Sequence, residues 1–138
     1  MFLTLPSVYY ESEAFSVRYD LERSLGMAVW KGKLAGPDLQ EAFLICVHVT
    51  DKYRLTRWLA DDRKMKGFSE EDKNWLEENV VPLCLNGPLR RMAVLPSEDQ
   101  KQVEAIEYFI QRAGDLNELA LKNFQDEEEA LHWLMQDF

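Results

Sequence analysis

The sequence predicts an α/β domain: a mixed five-stranded sheet that opens with an antiparallel hairpin, continues in βα units and carries four helices. Three observations lead there. Phe15, Val17, Tyr19 and Leu21 alternate with Ser16, Arg18 and Asp20, the period-two pattern of a strand with one wet face. Beyond that strand, stripes of helical spacing alternate with short apolar runs, the order that builds a mostly parallel sheet. Finally, 138 residues with 46% apolar and 12% aromatic content suit one domain, 1–138, with a real hydrophobic core.

Each element has its own reason. "GMAVWKG" from Gly26 follows the first strand after a short polar turn, so the two read as a hairpin, with Val8 to Glu11 as a candidate extra edge strand. "GPDLQEAFLICVHVTDKY" places Leu39, Ala42, Phe43, Cys46 and Val47 on one helical stripe, and Pro37 is tolerated in a first helical turn. Arg54 to Ala60 reads as an interior strand ending at Asp61. Ser69 to Asn79 reads as a helix: Ser69 with Asp72 three residues on is a near relative of the capping box, and the acids that follow favour the positive end of the helix dipole. Pro82 and the "NGP" at Asn86 mark a loop, after which "RRMAVL" reads as a buried strand. A third helix sets Val103, Ile106, Phe109 and Ile110 on one side and stops near Gly114. Glu118 to Asn123 reads as a weaker strand, and a last helix runs from Asp126 with Ala130, Leu131 and Leu134 facing inward.

Charge narrows the function. The net charge is -9, and residues 97–138 hold 11 of the 25 acids but only 3 of the 16 basic residues. Such a surface repels nucleic-acid phosphates and anionic lipid headgroups, so no nucleic acid is expected as a partner. The apolar runs are far short of the roughly 20 residues of a membrane helix, and "MFLTLPSVYY" has no cationic start. The expectation is a cytoplasmic protein without membrane insertion.

Chemistry-bearing residues are sparse. The six glycines form neither GxGxxG nor GxxxxGK[ST], which argues against those nucleotide cradles. Cys46 falls on a helical apolar stripe, as a buried thiol would, while Cys84 sits in the expected loop without an evident activator. His48 and His132 have no cysteine or carboxylate at metal-ligand spacing, so no metal and no cofactor are expected. The aspartates Asp61 and Asp62 end a strand, where ligands of open α/β sheets gather. Successive strand residues point to opposite faces, which disfavours joint acid–base work by this pair.

Four segments taken in order carry a family resemblance: "VWKGKLAGPDLQEAF" at Val29, "WLADDRKMKGFSEEDKNWL" at Trp58, "RRMAVLPS" at Arg90 and "NFQDEEEALHWL" at Asn123. Together they resemble the small bacterial STAS/SpoIIAA-like proteins, the STAS/SEC14-type group, across nearly the whole chain. That resemblance implies a mixed five-stranded sheet with four helices. Its best-known members are phosphoswitches with a serine at the start of the helix after the central strand. Only Ser69 can occupy that place here, and the Asp-Ser-Gly type motif of that branch is missing. A phosphate on Ser69 would meet the like charges of Glu70, Glu71 and Asp72, so Ser69 reads as a plain helix cap.

Three functions compete. The first is a non-enzymatic regulatory or protein-interaction module with a partner or ligand surface at Asp61, Asp62, Arg63, Lys64, Met65, Ser69 and Trp75. The second is a binder of a small apolar or lipid-like ligand, and the third an enzyme using Asp61 or Asp62. A homodimer through a sheet edge or an apolar helix face is also expected.

Overall fold

The computed structural model describes residues 5–32, 34–65, 69–97, 108 and 119–137. Its strands are β1 (Ser7–Glu11), β2 (Phe15–Asp20), β3 (Leu25–Trp30), β4 (Arg57–Asp61), β5 (Arg91–Leu95) and β6 (Ala120–Asn123), and its helices α1 (Gly36–Tyr53), α2 (Glu70–Asn79), α3 (Val81–Asn86) and α4 (Glu127–Leu134). The sheet runs β1-β2-β3-β4-β5-β6. The first three strands pair antiparallel and the rest parallel.

The sheet thus has six strands, not the five expected. The sixth is β1, whose rings give it a reason to stay: Tyr10 stacks on Phe15 with centroids 4.9 Å apart, and Tyr9 meets Tyr19 edge-on at 6.4 Å. Three of the four expected helices appear as α1, α2 and α4. Val103, Ile106, Phe109 and Ile110 of the other expected helix, and Glu118 of the expected last strand, lie outside the described residues. The segment at Pro82, expected to be a loop, is the short helix α3. Proline is tolerated in its first turn, and the backbone N–H groups of Val80 and Cys84 find partners in Leu76 O and Val80 O, so the chain winds on from α2.

Period two sorts the strands onto two covered faces. Ala28, Trp30, Trp58, Ala60 and Val94 join the core beneath α1. Leu25, Met27, Leu59, Ala93 and Leu95 pack with Ala130 and Leu134 of α4. Covering of both faces explains a further departure: Ser16 and Asp20, expected on a wet face, are buried, while Leu21 lies past the strand end and is 59% exposed. Gly26 is the register partner of Trp58. A side chain there would run into the indole six-membered ring, so only glycine lets that ring come so close to β3.

Helix α4 is held from the sheet. Arg57 and Arg91, register partners on β4 and β5, both reach the last turn of α4. The Arg57 Nε donates to Leu134 O at 2.6 Å, and Arg91 donates to Trp133 O, Gln136 O and Asp137 O at 2.6 to 3.1 Å. Two cations thereby satisfy carbonyls at the negative end of that helix.

Candidate functional site

Asp61 is the last residue of β4 and points to the α4 face. Its carboxylate takes a two-pronged ion pair from Arg63, Nε to Oδ1 at 2.9 Å and Nη2 to Oδ2 at 2.7 Å, and it also accepts the Arg63 backbone N–H at 3.3 Å. Glu127 at the start of α4 stands 3.7 Å from the same guanidinium. The bond to Asp61 raises the pKa of Arg63, with burial working against it. This arrangement orders a turn and leaves the carboxylate engaged as an acceptor.

Asp62 faces the other side, as strand alternation requires. It is 3% exposed. Its backbone is clamped, N–H to Leu95 O at 3.0 Å and C=O from Met65 N–H at 2.9 Å. The two carboxylates therefore stand on opposite faces of the sheet.

The remaining expected surface residues do not come together. Lys64 is exposed and Arg63 nearly half so, but Met65 is 2% exposed and belongs to the core under α1, where its carbonyl accepts the Ser97 hydroxyl at 2.5 Å. Met65 is thus corrected from surface to core, because the turn after β4 folds its long apolar side chain inward. Trp75 is half-buried and packs beside Leu39, Leu76 and Val80. Ser69 caps α2, its Oγ accepting the Asp72 N–H at 3.1 Å. Asp72 in turn is buried and accepts the Gly36 N–H at 3.2 Å, joining the first turns of α1 and α2.

Behind Asp62 lies a cavity of about 140 Å³, which sequence reasoning missed. Trp30, Trp58 and Met92 of the sheet form one wall, Phe43 and Cys46 of α1 another, and Cys84 of α3 a third. Burial pushes the Cys46 thiol far up, with the neighbouring Cys84 and Asp62 adding to it, and pushes Cys84 up to about 11, with Asp51 adding to that. Cys84 is thus a half-buried cavity wall on a helix, not a reactive loop thiol; a neutral thiol is a weak nucleophile. The signal available in the sequence was parity: Ala28, Trp30, Trp58 and Ala60 share one face of the sheet.

His48 and His132 are both exposed. No group of three or more His, Cys, Asp or Glu side chains suited to a metal occurs among the described residues, and no described helix is long and apolar enough to cross a membrane.

No family model matches the chain, and no curated protein matches it. Among solved structures, an uncharacterised protein of the DUF3478 family with a SpoIIAA-like fold, from Shewanella loihica, is similar over 97% of this chain and 98% of its own. The TM-score is 0.56 and the sequence identity 19%. The chain has a SpoIIAA-like fold.

Proposed function

We propose that this protein is a non-enzymatic, cytoplasmic STAS-like regulatory module that responds to a small apolar ligand held between its sheet and helices α1 to α3. The cavity of about 140 Å³ carries this reading. It falls below the roughly 300 Å³ at which drug-sized pockets begin, so a whole lipid is disfavoured, yet it matches the roughly 150 Å³ engineered cavity that admits benzene. Ser69 serves as a cap, which supports a module switched by occupancy rather than by a phosphate on that serine. The engagement of Asp61 by Arg63 supports a structural role for that acid.

Ligand binding is tested with toluene. The melting temperature of the wild type should rise with toluene concentration, as linkage requires of a ligand that binds only the folded state. Ala60→Leu, which projects extra carbons into the cavity, should abolish the rise. A wild type indifferent to toluene sinks the ligand reading. The non-enzyme part is tested by a hydrolase and transferase screen on the wild type, Asp61→Asn and Asp62→Asn; turnover that disappears in either variant would make the protein an enzyme.

A further inference from the structure

Hydrophobicity explains why the cavity takes an apolar guest, and the kind of atoms in its walls narrows which one. Three aromatic side chains, Trp30, Phe43 and Trp58, and three sulfur-bearing ones, Cys46, Cys84 and Met92, line it. The rings are held in place before any guest arrives. Trp30 stacks on Phe15 of β2 with centroids 5.2 Å apart and on Phe43 of α1 at 4.9 Å, a column that ties the sheet to the helix beside the cavity. Trp58 packs so close to Gly26 that no side chain fits at that position, which fixes the second indole against β3. Burial keeps both thiols neutral, and a neutral S–H or thioether is a soft, polarizable surface.

Fixed rings and sulfurs discriminate between apolar guests. An aromatic guest meets a wall ring edge to face or offset, contacts that add to the burial of area, and its ring also attracts sulfur. A saturated guest of equal size gains the burial alone. From these walls we infer that the ligand is a planar aromatic compound of one ring, chosen over saturated hydrocarbons of the same volume. The inference rests on the apolar-cavity reading above and adds the class of the ligand to it. The volume of about 140 Å³ sets the size, since the roughly 150 Å³ engineered cavity holds one benzene. Hydrophobicity by itself works the other way: a saturated hydrocarbon is driven from water more strongly than an aromatic one of its size, so burial alone would rank the saturated guest first.

Two probes of near-equal size decide the matter: toluene and methylcyclopentane, each titrated into the full chain, with Kd read from the rise in melting temperature. Toluene should bind roughly fivefold tighter, the gain from ring and sulfur contacts left after the saturated probe's advantage in leaving water. Phe43→Leu, which replaces a wall ring by branched carbon, should cut that ratio about threefold. The ratio is the readout, since a change in cavity volume is felt by both probes. Met92→Leu keeps the wall volume, removes only the sulfur and should cut the ratio about twofold; it decides if the Phe43 variant does not fold. Methylcyclopentane binding as tightly as toluene, or a ratio that neither variant lowers, overturns the aromatic assignment while the apolar-cavity reading stands. Binding of neither probe overturns both.

Discussion

A neutral thiol in an apolar wall is a pH-dependent contribution to stability. Burial raises Cys84 from 9.0 to about 11 in the fold, and Cys46 is raised further. In the unfolded chain both ionise in the ordinary range, so the unfolded state releases protons first as pH rises. The stabilisation from holding both thiols neutral is complete below about pH 9. It declines as pH climbs through 11. The unfolding free energy of the wild type should therefore fall more steeply between those limits than that of a Cys46→Ala, Cys84→Ala double variant, measured in urea at each pH. Parallel profiles would refute the assignment. Tyrosines and lysines titrate in both proteins, so the difference isolates the thiols.

Helix ends carry the order of this domain. Ser69 closes the first turn of α2, and Asp72, whose N–H that serine accepts, turns its own carboxylate to Gly36 at the start of α1. One cap therefore supports two helices. Ser69→Ala should cost about 1 kcal/mol, the usual loss on removing an N-cap, whereas Ser69→Asp should be nearly neutral because aspartate also caps. Chemical denaturation of both variants measures this. A Ser69→Asp protein that folds normally but no longer changes its melting temperature with toluene would instead point to a charge-operated switch at this helix.

Across the whole molecule, the two outer strands differ from what an exposed edge invites. Register slips between Val8 and Tyr10, placing a bulge at Tyr9 that interrupts the ladder and blunts β1 against edge-to-edge pairing. At the opposite edge β6 is only 4 residues long. The apolar side chains left outside near β1 are Val8, 48% exposed, and Leu44 of α1, 44% exposed. Leu44 borders an open groove with Tyr9, Pro37 and Ile45. Glu41 and His48 line the same groove, groups of opposite character that a contact between two copies can set against each other. A homodimer through the α1 face is the association we propose. Light scattering should give twice the chain mass at high concentration and a monomer for Leu44→Glu; a wild type that stays monomeric removes the idea.

The sequence by itself determined what depends on neighbours along the chain. Alternation from Phe15 to Tyr19 marked β2, the stripe from Leu39 marked α1, and Ser69 with Asp72 marked a helix start, because period and capping are set within a few residues. Strand parity also implied that Asp61 and Asp62 look opposite ways. The pairing of Asp61 with Arg63, two residues on, is local and was open to sequence reading; tertiary structure alone decided that Glu127 joins them on one side and that a cavity lies on the other. It also decided that Ser16 and Asp20 are covered, that Met65 turns inward and that α3 winds through Pro82. Those outcomes depend on residues far apart in sequence, as when Arg57 reaches Leu134 or Asp72 reaches Gly36. A cavity belongs wholly to that class: it is the space left where Trp30, Phe43, Cys84 and Met92 arrive from four different elements and do not fully meet.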